Sequence, residues 1–301
     1  MKIAIASGKG GTGKTTVAAA LALSLTEKFL AQSTLKAHAL LGQPPLFLDC
    51  DVEAPNAHLF LNPETRREEP AVLLVPEVDE AKCTHCGVCA KVCQYHAIAV
   101  VGKHVMVFPQ LCHACGSCTL NCPEDAIHEE PHTLGLLLGG PAVGNIDFAQ
   151  GVLNVGEPMA VPVITQLKRW SGAADGRVVI LDSPPGASCP VVATLRGADY
   201  VVLVTEPTPF GLHDLRLAVE VVEALHIPMG VVINRDGMGD DGVEAFCRQH
   251  GLPVLMRIPF QREFAEGIAR GRNLLEVAPD RTVDFHRMFS AIVEQIGGVS
   301  S

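Results

Sequence analysis

The octapeptide GKGGTGKT, Gly8–Thr15, constrains the fold of this chain more than any other stretch. It fits the pattern G-x-x-x-x-G-K-[ST] and stands between a short apolar run, KIAIA, and a helix-forming run, TTVAAALALSL. In that setting the glycines let successive backbone N–H groups turn inward around phosphate oxygens, and the next helix N-terminus adds a favourable dipole. The candidate phosphate cradle is Gly8, Lys9, Gly10, Gly11, Thr12, Gly13, Lys14, Thr15 and Thr16. Lys14 is expected to reach the β- and γ-phosphates, and the Thr15 hydroxyl to ligate Mg²⁺. The plainer alternative, a structural glycine turn, leaves the full pattern and both its flanks unexplained.

The same strand–helix rhythm continues along most of the chain. Residues 2–6, 45–49, 177–182, 200–206, 229–234 and 253–258 are continuous apolar runs, as expected of strands covered on both faces. Helices are expected over 14–30, 211–225, 240–250, 261–270 and about 281–297. This alternation predicts an α/β fold with a doubly wound, mostly parallel sheet and ligands at the carboxyl ends of its strands. The chain has 301 residues, no apolar run of membrane-spanning length and no signal-peptide core, so a cytoplasmic protein is expected. A net charge of −10 without a basic stripe argues against nucleic acid as a partner and against stable membrane association.

Residues 79–131 break the rhythm. Eight of the 11 cysteines lie between Cys83 and Cys122, and disulfides are rare in the cytosol, so metal binding is the leading reading. Two similar runs, CTHCGVCAKVCQYHAI and CHACGSCTLNCPEDAI, make a small pseudo-symmetric module. Both match the spacing of bacterial two-cluster ferredoxins, in which the fourth cysteine of a run serves the other cluster. Cys83, Cys86, Cys89 and Cys122 are therefore assigned to one [4Fe–4S] cluster, and Cys112, Cys115, Cys118 and Cys93 to a second. Zinc is the rival, but structural zinc sites pair two knuckles across a longer gap. Gln94 stands where the pattern has proline, which alters the local turn without removing a ligand. His85 and His113 are expected to be exposed loop residues near the clusters. Cys50 and Cys247 are expected to be packed thiols, and packing is also favoured for Cys189, with a role across a dimer interface as the alternative. The 12 histidines form no triad, and His38, His58, His213 and His226 are read as surface or core residues. The expected organisation is a first domain part over 1–78, an insert over 79–131 and a second part over 132–301.

The extra lysine Lys9, in KGGTGKT, resembles the deviant phosphate loop of the MinD/ParA group of P-loop ATPases. FLDCDVEAPN, VVILDSPPG, VVINRD, RIPFQREFAEGIARG and TEPTPFGLHDLRLAVE are similar to further motifs of that group, in the same order. The whole chain resembles MinD-like P-loop ATPases carrying an inserted α+β 2[4Fe–4S] ferredoxin-like domain. The resemblance implies an ATP-dependent homodimer in which Lys9 contacts the nucleotide bound by the partner. It implies that Asp51 positions or activates the attacking water while Asp49 supports the metal and its loop. Asp182 would hold Mg²⁺, directly or through water, with Thr15 and Asp51 also at the metal. Gly186 would lie near the γ-phosphate, Asn234 would read the adenine edge, and Pro259 and Phe260 would flank the ring. The implied catalytic set is Lys9, Lys14, Asp51 and Asp182. The chemistry is phosphoryl transfer from ATP to water by positioning and electrostatics, without a nucleophilic side chain.

Three functions fit these features. Eight cysteines arranged for two closed clusters favour an ATPase that couples its nucleotide cycle to electron transfer to a redox or metalloprotein partner. An ATP-dependent assembly factor for a metal or iron–sulfur cofactor is the alternative. A MinD-like positioning ATPase is disfavoured, because the C-terminal DFHRMFSAIVEQIGGVSS has no lysine and only one arginine for a basic amphipathic helix.

Overall fold

The computed structural model describes residues 1–26, 43–172 and 176–299. His38 and residues 27–30 of the first expected helix lie outside the described residues. The described strands are β1 (Lys2–Ala6), β2 (Leu46–Asp49), β3 (Arg67–Val78), β4 (Ile98–Val101), β5 (His104–Val107), β6 (Ile127–Ala142), β7 (Ile146–Leu153), β8 (Val179–Asp182), β9 (Tyr200–Thr205), β10 (Met229–Asp236) and β11 (Val254–Pro259). The helices are α1 (Lys14–Ser24), α2 (His58–Leu61), α3 (Val88–Val92), α4 (Ser117–Leu120), α5 (Ala160–Trp170), α6 (Cys189–Leu195), α7 (Pro209–Ala224), α8 (Gly242–Gln249), α9 (Arg262–Ala269), α10 (Leu274–Val277) and α11 (Thr282–Val299).

Among the described residues, nine strands form one mixed sheet in the order β11-β10-β9-β1-β8-β2-β7-β6-β3. The pairs from β11 to β7 are parallel, and β7–β6 and β6–β3 are antiparallel. Strand pleating sends alternate residues to opposite faces. Ile3, Ile5, Phe47, Ile180 and Val202 pack under α1 and α11 on one side. Ala4, Leu48, Leu181, Val201 and Ile233 pack under α5, α7 and α8 on the other. This two-sided burial is why the central strands read as unbroken apolar runs.

The antiparallel edge carries the cysteine module. β3 and β6 pair from Arg67↔Gly139 to Val78↔Ile127, whereas β6 pairs with β7 only from Gly135 onward. The remaining length continues beyond the sheet as a two-stranded ribbon that enters and leaves the module. The register slips between Ala71 and Val72, where Leu134 is the extra residue on β6. Such a bulge bends a strand and re-aims its faces. Beyond it, Leu74, Pro76 and Glu129 face the cavity around Cys112, while Val78 and Ile127 face the one around Cys83.

Inside the module β4 and β5 form an antiparallel hairpin beside α3 and α4. The two cysteine runs adopt one backbone shape twice. His85 and Ala114, Gly87 and Gly116, and His96 and Asp125 all have positive φ at equivalent positions.

Phe289 on α11 is fully buried in the α1-side core. Phe289→Ala should destabilise the sheet domain by about 3–5 kcal/mol. Calorimetry should show a lower thermal midpoint with unchanged iron content in the module.

Candidate nucleotide cleft and cysteine module

The loop after β1 turns through Gly11 (φ +80°) and Gly13 (φ +88°), left-handed positions that glycine adopts without strain. A Cβ on Gly8 would collide with the backbone of Asp214 on α7, and one on Gly13 with the Asn234 amide. The loop is thus fitted between α7 and the end of β10. It borders a cleft of about 520 Å³ at the carboxyl ends of the parallel strands. Gly10, Thr15, Thr16, Asp51, Pro259 and Phe260 all line this cleft.

Three charged side chains are buried beneath the loop. Lys14 Nζ donates to Asp182 Oδ1 at 2.7 Å, and both groups are almost fully enclosed. Asp182 ends β8, directly beside Asp49 at the end of β2. Asp49 accepts backbone N–H groups from Asp51, Asn56 and Ala57 at 3.0–3.1 Å, which shapes the loop that presents Asp51. Burial, followed by the neighbouring Asp182 charge, pushes the Asp49 carboxyl up to about 7. Burial also raises Asp51, against the pull of Lys14. Asp182 Oδ2 and Thr12 Oγ1 are buried without a hydrogen-bond partner. A free, enclosed carboxylate oxygen and an unpaired hydroxyl fit a Mg²⁺–nucleotide, with Asp182 bound directly or through water.

The residues expected at the two ends of the nucleotide are tied to one another. The Asn234 amide donates to the Thr12 carbonyl at 2.7 Å, and its Oδ1 accepts from the Arg235 N–H at 2.9 Å. Asn234 therefore braces the phosphate loop as well as lining the cleft. The Gly186 N–H, at φ +97°, donates to the Ser7 carbonyl at 2.9 Å and links the Asp182–Ser188 loop to the start of the phosphate loop. Lys9 Nζ lies 3.5 Å from Glu206 Oε2, with its side chain partly exposed. Glu206, a buried carboxylate, also receives Arg235, whose Nη2 donates to the Gly11 carbonyl at 3.1 Å. Glu206 and Arg235 escaped the sequence reading. Arg235 follows Asn234 directly, which was the one available signal for it.

In the module, Cys83, Cys86, Cys89 and Cys122 line one small cavity, walled by Val78, Val100, Val105 and Ile127. Cys93, Cys112, Cys115 and Cys118 line a second, beside Leu74, Pro76 and Tyr95. The fourth cysteine of each run thus stands with the first three of the other. The Ala97 N–H donates to Cys93 Sγ and the Ala126 N–H to Cys122 Sγ, each at 3.3 Å. Four sulfurs against an aliphatic wall, with N–H donors to sulfur, suit [4Fe–4S] ligation. His113 is exposed and stacks on Tyr95 at 3.8 Å between ring centroids. His85 is only half-exposed, with Nε2 3.4 Å from Glu80.

Cys50 and Cys247 are buried in the core, as expected. Cys189 is exposed instead of packed, because Pro190 and the Ser188 cap start α6 at the surface of the Asp182–Ser188 loop. No described helix is long and apolar enough to cross a membrane.

The family model described as a 4Fe-4S binding domain matches residues 76–99 and 105–128. Two uncharacterized proteins of Methanocaldococcus jannaschii are similar along most of the chain. One is 28% identical over 92% of this chain and 92% of its own length, and the other 31% identical over 86% of each. An iron-sulfur cluster carrier protein of Aquifex aeolicus is 24% identical over 93% of this chain and 63% of its own. Among solved structures, the septum site-determining protein MinD of Pyrococcus horikoshii, complexed with Mg-ADP, superposes with a TM-score of 0.57. The match covers 100% of this chain and 98% of that one at 19% identity, a likeness of fold.

The pH response of Asp49 is a direct test of the buried trio. Its raised folded-state pKa means that the neutral form favours folding. That contribution is complete below about pH 4 and is lost as pH rises towards 7. Between about pH 5 and pH 7, the thermal midpoint of the nucleotide-free protein should carry a falling component that Asp49→Asn removes. An identical slope in the variant would place the titration elsewhere.

Proposed function

This chain belongs to the MinD/ParA-like P-loop ATPases that carry inserted 4Fe-4S ferredoxin domains, and from that premise we propose that it is an ATP-hydrolysing iron–sulfur homodimer coupling its nucleotide cycle to electron transfer. The observation that carries this reading is the continuity of the sheet. β6 is one strand from the nucleotide-bearing sheet into the module with its two four-cysteine cavities.

In this reading Gly8–Thr16 cradle the phosphates, and Lys14 exchanges its bond to Asp182 for the β- and γ-phosphate oxygens. Asp182 and Thr15, with Asp51 close by, would hold Mg²⁺, which would supply positive charge against the phosphates. Asp51 orients the attacking water, and its raised pKa suits a proton acceptor. Asp49 acts through its three backbone N–H bonds by holding the Asp51 loop in place. Asn234, Pro259 and Phe260 receive the base. Lys9 leaves Glu206 and crosses to the nucleotide of the second copy, a movement that its partial exposure permits. Two [4Fe–4S] clusters, one in each cysteine cavity, supply one-electron chemistry when bound. The electron acceptor is a redox or metalloprotein partner in the cytoplasm, without nucleic acid or stable membrane association.

One observation favours a second reading, ATP-dependent delivery of a metal or iron–sulfur cofactor. Cys189 is exposed at the start of α6, beside the loop that carries Asp182, where a second copy could present an equivalent thiol.

Anaerobically purified protein should hold about eight iron atoms per chain, with EPR signals on reduction; a zinc-filled, EPR-silent module would refute the cluster assignment. Lys14→Ala should lose nucleotide binding. Lys9→Ala should bind ATP normally yet lose hydrolysis that depends on protein concentration. Unchanged turnover in that variant would remove Lys9 from the reaction.

A further inference from the structure

Helix α5 touches the Asp51 loop, the C-terminal end of the helix that follows the Asp182–Ser188 loop, and the base of the cysteine-bearing ribbon. At the Asp51 side, the position of Gly151 leaves no room for a Cβ between Val52 and Val163 of α5, so these two side chains close over it. The Leu153 N–H donates to the Val52 carbonyl at 2.8 Å, securing the same junction. At the Asp182 side, Lys168 Nζ donates to the carbonyls of Ala193, Thr194 and Arg196 at 2.8–2.9 Å. These carbonyls end α6, the helix that follows the Asp182–Ser188 loop, and helix-end carbonyls have no intrahelical donor of their own.

The third contact lies at the bulge. The Val72 N–H donates to Gln166 Oε1 at 3.0 Å, and Gln166 Nε2 donates to the Val72 carbonyl at 2.9 Å. One side-chain amide thus satisfies both backbone groups of the residue at which β3 leaves its regular register. The segment entering α5 grips the opposite strand. Asn154 Nδ2 donates to the Thr133 carbonyl at 3.1 Å, the Asn154 N–H donates to the Leu134 carbonyl at 2.8 Å, and Glu157 meets His132 at 2.8 Å. From Val72 to Val78 the ribbon extends about 20 Å to the far cysteine cavity. A shift at its base is therefore enlarged at its tip.

We propose that Gln166 and Lys168 are positioning residues that make α5 the mechanical link between the nucleotide loops and the cysteine module. The proposal rests on the coupling reading above and specifies its route. A half-buried ammonium on three carbonyls and an amide on both groups of Val72 cannot be pulled away without leaving unpaired polar groups. When α6 or the Asp51 loop changes position with nucleotide, α5 follows and carries the ribbon base with it. Gln166 and Lys168 line neither the cleft nor the two cysteine cavities.

The test compares iron release to a chelator in full-length, cluster-loaded protein with MgADP and with a non-hydrolysable MgATP analogue. Wild-type rates in the two states should differ about fivefold or more. Gln166→Met and Lys168→Met should bring that ratio close to one while iron content and nucleotide affinity stay at wild-type values. Lys168→Arg, which keeps a cationic donor, should preserve the ratio. Should Gln166→Met fail to fold, Gln166→Glu replaces it, since a carboxylate accepts from the Val72 N–H but opposes the Val72 carbonyl. Variants with the full wild-type ratio would overturn the α5 route and leave the coupling reading standing. A wild-type ratio near one would overturn both.

Discussion

Lys14, Asp49 and Asp182 are buried together where β1, β2 and β8 end, and the arrangement holds only while those strands keep their register. Charges removed from water must be paired or hydrogen-bonded. Asp182 has Lys14, and Asp49 has three backbone N–H groups. The parallel pairing of Asp49 with Asp182 brings two carboxylates side by side, and one lysine serves both. Burial first, and then the Asp182 charge beside it, raise the Asp49 pKa, as expected where one lysine faces two carboxylates. Mg²⁺ held at the unpaired Asp182 oxygen would supply positive charge there, so the cleft is built around an incomplete electrostatic set.

The other half of the molecule depends on the sheet having an antiparallel edge. A parallel strand would need a long crossover before it could return, whereas β3 and β6 leave and re-enter as neighbours. A module inserted between them hangs from two hydrogen-bonded strands rather than a flexible linker. Its own core is small, with Ile98 and Ile127 beside Cys89 and the two small side chains Ala97 and Ala126, which leaves little apolar burial to hold it together. The two cavities also differ in place: the one with Cys112 lies nearer the sheet along the ribbon, and the one with Cys83 lies at its tip.

Most of the parallel strands were legible because burial on both faces leaves a local signature in the residues themselves; β7, parallel to β2, was not among the expected runs. β1, β2, β8, β9, β10 and β11 lie within two residues of the expected runs. β3 and β6 were not legible. Both strands contain residues that are ordinarily unfavourable in strands: Pro70 and Pro76 in β3, and Pro131, Gly135, Gly139, Gly140 and Pro141 in β6. On this edge the prolines do not interrupt the pairing, and the glycines are demanded by close approach: a Cβ on Gly135 or Gly140 would strike the backbone of Val152 or Glu64.

By itself the sequence determined the chemistry available to this protein: a phosphate loop, a series of acidic strand ends and two interlocked runs of cysteines. Each is written in residue type and short spacing, so no long-range information was required. Only the tertiary structure decided how these parts are joined. Gln166 reaches Val72 across 94 positions, Arg235 reaches Gly11 across 224, and the buried carboxylates meet through sheet register alone. Contacts between residues so distant in sequence leave no periodicity to read, because they arise from which strand lies beside which.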